Sequence, residues 1–254
     1  MGSIFSTIIF EPLFNGLIYT YKLLPDLGIA IIILTVVIKL ILLLPSRSAI
    51  VAQKKLQEMQ PKMQEIQNRN KDNREEQSRQ LMAFYKQHKV NPFSSCLPLL
   101  IQLPILIGLY QIFLAVAKVD PTTGILIPEQ VAHLYPSLAS VYGTTPIDLM
   151  SFGFVDLGAT KNWIFAILAG AAQFWQSKML MAQTPPKIPG AKDEGMASAM
   201  SKQMTYIFPV MIVYLSSTLP TGLALYWIVS TVFTIAQQYL LFRKKPADNI
   251  QPAS

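Results

Sequence analysis

The chain has 254 residues, of which 52% are hydrophobic and only 14% are charged, whereas soluble proteins average about 25% charged residues. This composition excludes an ordinary soluble protein and predicts an all-α integral membrane protein. A single cysteine, Cys96, excludes an intramolecular disulfide, and the isolated His88 and His133 argue against a metal site. We therefore expect no metal and no cofactor.

Residues 1–25 are apolar, but polar residues interrupt them. Glu11, Pro12 and Asn15 fall inside the segment, which lacks the basic start of a cleaved secretory signal. This pattern predicts an amphipathic helix that lies in the membrane interface. A sixth membrane span is the alternative.

Five later segments are long and apolar enough to cross a bilayer, which takes about 20 residues. The loop at residues 45–94 holds ten basic and five acidic residues, whereas the loop at 118–161 holds two basic and four acidic residues. Because Lys and Arg favour the cytoplasmic side, we expect the first loop and the C-terminus inside, and the second loop and the N-terminus outside. The predicted segments are the spans 26–44, 95–117, 162–181, 203–219 and 222–242, the cytoplasmic loop 182–202 and the cytoplasmic tail 243–254.

The loop at residues 45–94 has the pattern of a helical hairpin. Apolar residues recur at alternating three- and four-residue spacing along its first half, as in a helix that packs against another. Residues 68–73 predict a polar turn, and Pro61 predicts a kink in the first arm. A solvated, charged connector is the alternative. The predicted seam comprises Ala49, Ala52, Leu56, Met59, Met63 and Ile66 on the first arm and Ser78, Leu81, Tyr85 and His88 on the return arm.

One cation, Lys39, lies inside the first predicted span. It follows Thr35 by one helical turn on the same face, and an intramembrane charge costs about 2.5–3.5 kcal/mol on insertion scales, which marks a candidate functional site. Other spans carry neutral polar residues at helical spacing, although Gln102 and Gln111 lie on opposite faces of the second span. These stripes predict a hydrated groove. A snorkelling lysine and ordinary interhelical hydrogen bonds are the alternatives. The predicted groove residues on the later spans are Gln173, Gln176, Tyr226, Trp227, Ser230, Thr231, Thr234 and Gln238.

The sequence lacks the common motifs of enzymes and of ATP-driven pumps. It contains no G-x-S-x-G, no H-E-x-x-H and no G-x-x-x-x-G-K-[ST], so we expect no enzymatic activity. No Asp or Glu occurs in the four later spans, which argues against a proton-coupled transporter. The sequence shows no charged ring and no inverted repeat, which argues against a pore or a small-solute transporter.

Four stretches of the sequence carry a specific pattern. They are residues 26–45 (DLGIAIIILTVVIKLILLLP), 56–67 (LQEMQPKMQEIQ), 82–110 (MAFYKQHKVNPFSSCLPLLIQLPILIGLY) and 208–243 (FPVMIVYLSSTLPTGLALYWIVSTVFTIAQQYLLFR). With these motifs the chain resembles, over about residues 11–243, the YidC/Oxa/Alb family of membrane protein insertases, in the short bacterial form without a large outer domain.

The resemblance implies five transmembrane helices around a hydrophilic groove, with a cytoplasmic helical hairpin. The groove would be open to the cytoplasm and to lipid and sealed on the outer side. The family usually has arginine at the position that Lys39 matches, and Thr35, Gln173 and Trp227 match other groove-lining positions. Lysine keeps the charge of arginine but lacks its planar, five-donor fork.

The function implied by the resemblance is that of an insertase in a bacterial plasma membrane. It would move short polar ends of nascent membrane proteins through the groove and release their apolar segments into lipid. The alternative is a chaperone or assembly factor that helps helices pack without translocating them. The expected partners are nascent membrane proteins and lipid. The sequence leaves the Sec translocon and the ribosome open as partners, and we expect no nucleic-acid binding except through ribosome contact.

Methionine adapts to varied apolar partners, and several methionines lie in the predicted cytoplasmic parts. We therefore predict that these parts receive incoming apolar segments. Ordinary interfacial packing of the methionines is the alternative. The predicted reception residues are Met59, Met63, Tyr85, Met196, Met200 and Met204.

Overall fold

The computed structural model describes residues 3–88, 97–117, 119–120, 122–181 and 203–243. Two short turns, Ser3–Phe5 and Ser6–Phe10, precede the first long helix, and a π-helical turn, Gln203–Ile207, precedes α8. The long helices are α1 (Glu11–Leu23), α2 (Leu27–Ile41), α3 (Leu43–Glu58), α4 (Gln60–Arg69), α5 (Arg74–Gln87), α6 (Leu97–Ala117), α7 (Trp163–Met181), α8 (Phe208–Thr218) and α9 (Thr221–Arg243).

The segment between α6 and α7 contains the β structure. Two short helices, Pro128–Val131 and Pro136–Tyr142, precede the strands β1 (Met150–Ser151) and β2 (Val155–Asp156). The strands pair antiparallel, with Ser151 opposite Val155. The part of the segment after β2 holds the first turn of α9, because the Thr221 amide donates to the Ala159 carbonyl at 2.9 Å.

Two helices in the described part of the chain are by themselves long and apolar enough to cross a membrane, through Leu100–Ala117 of α6 and Thr221–Leu241 of α9. The pair α2 and α3 passes the same test as one bent unit, with an angle of 69°, and Thr205–Thr218 forms a shorter apolar helix. The structure therefore contains two candidate spans, or three with the bent pair. The count of five stays a prediction.

The sharp bend after α2 has a local cause in the sequence. Pro45 has no N–H to donate to the Ile41 carbonyl, so the regular α-helical bond between them cannot form. Leu42, between the two helices, has φ −86° and ψ 9°. The straight helix therefore ends before the predicted boundary at residue 44. A second break, predicted at Pro61, occurs two residues earlier at Met59, so Pro61 lies in the first turn of α4.

Helices α4 and α5 form a hairpin, as the pattern of residues 45–94 predicts. The Asn70 amide donates to Gln80 Oε1 at 2.8 Å, and the Gln77 amide donates to the Gln67 carbonyl at 2.9 Å. On the first arm the predicted seam positions Ala49, Leu56 and Met63 are buried, and Ala52, Met59 and Ile66 are half-buried.

The predicted seam of the return arm is partly wrong. Leu81, Tyr85 and His88 are half-buried, but Ser78 is exposed, and the prediction leaves out Phe84, which is buried. The physical reason is a pair of hydrogen bonds, in which Gln77 donates to Gln67 and Gln80 accepts from Asn70. They turn α5 so that the face containing Phe84 meets α4.

Helix α1 packs one apolar face on the protein and exposes another. Phe14, Leu17 and Ile18 are fully buried against the core that α1 shares with α2 and α6. On the opposite side Tyr19 and Leu23 are exposed. An interfacial position of residues 1–25 stays a prediction, which this exposed apolar face favours.

The apolar core lies at the end of the molecule where α2 and α9 begin. Leu27 and Ile31 of α2 and Leu223 of α9 are at most 2% exposed. Side chains of the segment between α6 and α7, such as Leu138 and Leu157, complete this core. Toward the other ends of α2 and α9 the buried positions become polar, and the candidate site lies there.

Candidate functional site around Lys39

Lys39 joins three helices through hydrogen bonds. It lies twelve residues after the first residue of α2, or about 18 Å along the helix, and its side chain is half-buried. Its Nζ donates to Thr234 Oγ1 of α9 at 3.3 Å and to Gln102 Oε1 of α6 at 3.5 Å. The helices α2, α6 and α9 thus meet at one cation.

The hydrogen bonds continue from Lys39 into α9. The Gln102 amide nitrogen donates to the Tyr226 hydroxyl, and Tyr226 is only 1% exposed. The Thr234 hydroxyl donates to the Ser230 carbonyl at 2.9 Å. Gln102 therefore accepts from the ammonium group with one amide atom and donates to the phenol with the other, which fixes its orientation.

The partners of Lys39 are all neutral. It forms no ion pair with any described carboxylate, and the sequences of α2, α6, α7, α8 and α9 contain no Asp or Glu. Among the described residues, an amide oxygen and a hydroxyl oxygen solvate the charge. This arrangement leaves a positive potential that an anionic group can approach.

A second polar cluster lies between α7 and α9. The Trp227 indole donates to Gln173 Oε1 at 3.3 Å, and the Gln173 amide donates to Gln176 Oε1 at 3.3 Å. Because Tyr226 and Trp227 are consecutive, they point about 100° apart around α9. The predicted groove residues therefore form two clusters on neighbouring faces of α9.

Other predicted groove residues do not join these two clusters by a described hydrogen bond. Thr35 is 1% exposed, and its hydroxyl donates to the Ile31 carbonyl of its own helix at 2.6 Å. Thr231 and Gln238 are buried on α9. The Oε1 atom of Gln238 has no hydrogen-bond partner among the described residues.

Two features of the site were missing from the prediction. Gln102 was recognised as polar, but the sequence did not indicate which face of the second span meets Lys39. Gln237 accepts from the Ser46 hydroxyl at 2.8 Å and donates to the Leu43 carbonyl at 3.4 Å, which ties α9 to the bend between α2 and α3. The one feature of the sequence that points to Gln237 as a site residue is its position next to the predicted groove residue Gln238.

The predicted reception residues are only partly described. Met63 is 7% exposed, so it packs within the hairpin, whereas Met59 and Tyr85 are half-buried and present some surface. Burial raises the pKa of the Tyr85 hydroxyl above its ordinary value. Met196 and Met200 lie outside the described residues, and only the backbone of Met204 is described. In the part of the chain that the structure describes, no group of three or more His, Cys, Asp or Glu side chains could hold a metal ion.

Comparison with known proteins identifies relatives along nearly the whole chain. The family model of the 60Kd inner membrane protein matches residues 19–248. A Membrane protein insertase YidC from Fusobacterium nucleatum subsp. nucleatum is 31% identical over 225 residues, which cover 89% of this chain and 90% of that protein. Its counterpart from Geobacter metallireducens is 31% identical over 228 residues, which cover 90% of this chain but only 35% of that protein. The chain therefore spans about a third of the length of such longer relatives.

A solved structure has a similar fold. It is described as "Active YidC insertase crystal structure with the first transmembrane domain resolved", and it matches with a TM-score of 0.57 and 24% identity. The match covers 91% of this chain and 46% of that chain. Together with the family match and the similarity to the Fusobacterium protein, this shows that the chain belongs to the 60Kd inner membrane protein family, whose curated bacterial relatives are named YidC membrane protein insertases.

Proposed function

We propose that the protein is a membrane protein insertase in which the polar cluster around Lys39 receives short polar ends of nascent membrane proteins. The observation that carries this proposal is a half-buried ammonium group whose described partners, at 3.3 and 3.5 Å, are both neutral. A fixed carboxylate would neutralise this charge, whereas hydrogen-bonding dipoles leave it attractive to an arriving acidic group. The name of the curated relatives, membrane protein insertase, supports the same activity.

The proposed topology has five spans, formed by the bent α2, by α6, by α7, by α8 with its preceding π-helical turn, and by α9. The segment between α6 and α7 would lie outside, in agreement with its excess of acidic residues. The α4–α5 hairpin, rich in Lys and Arg, would lie in the cytoplasm and guide apolar segments past Met59 and Tyr85. The membrane would be the plasma membrane of a bacterium.

The distribution of polarity along the helices supports a groove that is closed outside and open inside. Leu27, Ile31 and Leu223 fill the end where α2 and α9 begin, and Lys39 lies about 18 Å further along. Gln238 Oε1, which lacks a described partner, would be satisfied by water in a hydrated groove. Water reaching partway across the membrane would shorten the apolar path of a translocating tail.

Insertion by such a groove needs no fuel. About 20 apolar residues at −0.3 to −0.6 kcal/mol each favour the inserted state by roughly 6–12 kcal/mol. The barrier is the polar end, because charges and unpaired backbone groups in hydrocarbon cost several kcal/mol each. A membrane potential that is positive outside assists an acidic tail by about 2.3 kcal/mol per charge per 100 mV. The groove lowers the barrier and leaves the equilibrium unchanged.

The test is protease protection of a single-span substrate with a short acidic tail, added to liposomes that contain the purified protein. We expect the tail to become protected in the presence of the protein and not in empty liposomes. Lys39→Ala should reduce this protection, because it removes the charge that attracts the tail.

Two other outcomes would change the proposal. Equal protection with Lys39→Ala would keep the insertase and reduce Lys39 to a side chain that reaches the lipid headgroups. If the native protein gives no protection but improves the packing of substrate helices that are already inserted, the protein acts as an assembly factor instead.

A further inference from the structure

The β1–β2 hairpin is fixed to the first turn of α2. The Asp26 carboxylate accepts from the Ile29 amide at 3.0 Å, which caps α2, and from the Phe152 amide at 2.7 Å. The Ser151 hydroxyl donates to the same carboxylate, and the Gly28 amide donates to Ser151 Oγ at 2.9 Å. The hairpin is therefore a fixed extension of the end of α2.

The turn of this hairpin is made of apolar residues in an uncommon conformation. The Phe154 amide donates to the Ser151 carbonyl at 3.1 Å, so Phe152 and Gly153 occupy the centre of the turn. Both have positive φ, 54° and 78°, the geometry for which turns in water favour Asn-Gly. The ring of Phe152 packs where Gly28 leaves space, since a Cβ atom on Gly28 would lie 2.8 Å from that ring.

Packing accounts for the aromatic side chain at Phe152 but not for the one at Phe154. The Phe154 side chain is 79% exposed, and Met150 on β1 is 46% exposed. The two acidic residues that flank the turn, Asp148 and Asp156, are exposed, and their Oδ1 atoms accept from the Met150 and Gly158 amides, both at 2.8 Å. The tip itself, residues 152–154, contains no charged residue and presents an aromatic surface.

This surface lies at the same end of the molecule as other exposed apolar side chains. Leu23 and Leu24, which directly precede the Asp26 cap, are 63% and 45% exposed. Trp163 and Ile164 begin α7 just after the residues that hold the first turn of α9, and they are 57% and 71% exposed. Amphipathic aromatic side chains at the ends of membrane helices are typical of the headgroup region.

We propose that the tip of the β1–β2 hairpin, with Phe154 at its centre, inserts into the outer headgroup region of the bilayer. Lipid is the occupant that fits best, because the tip continues the exposed apolar surface at the ends of α1 and α7 and carries no charge of its own. The hairpin would hold the outer end of α2 at a defined depth. This inference rests on the proposed topology, in which this end of the molecule lies outside, and does not depend on insertase activity.

The experiment uses the full chain in phosphatidylcholine–phosphatidylglycerol vesicles, with the single cysteine replaced by Cys96→Ser. A new cysteine at Phe154→Cys is labelled with the environment-sensitive dye NBD. The matched control is Thr144→Cys, which lies in the same segment on an exposed polar turn. We expect a blue-shifted emission at position 154, quenching by lipids brominated near the headgroup and little quenching by iodide. Position 144 should show the reverse.

Three results would overturn the proposal. The first is emission at position 154 that iodide quenches as strongly as emission at position 144. The second is protection from iodide without quenching by brominated lipid, which would indicate contact with a second copy of the chain. The third comes from a label at Met150→Cys, whose emission should shift toward that of water when Phe154→Asp is added. An unchanged emission would show that Phe154 does not hold the tip in lipid.

Discussion

The attraction between Lys39 and an acidic substrate tail predicts a measurable coupling between the two charges. The perturbation is Lys39→Met, which keeps an unbranched, apolar side chain and removes the charge. It is combined with a change in the substrate, in which one Asp of the tail becomes Asn. If the ammonium acts by attraction, loss of either charge should remove the same interaction, so the two effects should not add.

The size of the coupling follows from the surroundings of Lys39. Two unit charges about 4 Å apart attract by about 1 kcal/mol in bulk water and about 4 kcal/mol at an effective dielectric constant near 20. Lys39 is half-buried and has only neutral described partners, so its surroundings lie between these limits. We take about 2 kcal/mol, which corresponds to roughly a thirtyfold change in rate.

The assay is the initial rate of tail protection at a low substrate concentration, where the rate reports the barrier relative to free substrate. Lys39→Met should slow the Asp tail about thirtyfold more than the Asn tail. Lys39→Arg is the matched control, because it keeps the charge but changes the hydrogen-bond geometry. A slowing by Lys39→Met that is the same for both tails, within about twofold, would refute the electrostatic reasoning.

Three further predictions concern the frame around the site. Asp26→Ala removes the cap of α2 and the anchor of the β1–β2 hairpin, so we expect a loss of stability of about 2 kcal/mol from a cap and a charge-assisted hydrogen bond; an unchanged melting temperature in detergent would contradict this. Gly170→Val adds atoms where α7 contacts Val213 of α8, and overpacking of this kind costs about 1–3 kcal/mol; thermal unfolding measures it, and a native melting temperature would show that the two helices are not in close contact. Gln237→Leu removes the bonds that tie α9 to the bend after α2, so the distance distribution between spin labels on α3 and α9 should broaden. Ser46→Ala, which removes one of these bonds, should broaden it less, while stability changes by only about 0.6 kcal/mol per bond; a distribution as narrow as in the native protein would rule out this role.

The apolar character of α2, α6 and α9 and the position of Lys39 could be predicted because hydropathy is a local property. A cation within an apolar run is enough to mark a candidate functional site. The first arm of the hairpin was predictable for a similar reason, since Ala49, Leu56 and Met63 repeat at seven-residue spacing.

Contacts that depend on how helices rotate and cross could not be predicted. Gln102 and Gln111 lie on opposite faces of one apolar helix, and only packing against α2 and α9 selects Gln102 as the partner of Lys39. On the return arm, polar bonds to α4 rather than apolar spacing decide that Phe84 is buried. The β1–β2 hairpin was also missed, because strands of two residues show no alternation and its Phe-Gly turn lacks the usual Asn-Gly signal.

The neutral surroundings of Lys39 also bear on how long a tail would remain bound. A carboxylate that reaches the ammonium displaces only the contacts from Gln102 and Thr234, and these two groups can re-form their bonds when it leaves. The lysine alone attracts the tail, without the bidentate grip that an arginine could offer. Release would therefore be fast, because differences in affinity between related complexes appear mainly as differences in the dissociation rate. Such a site favours rapid passage of many different tails over retention of any one of them.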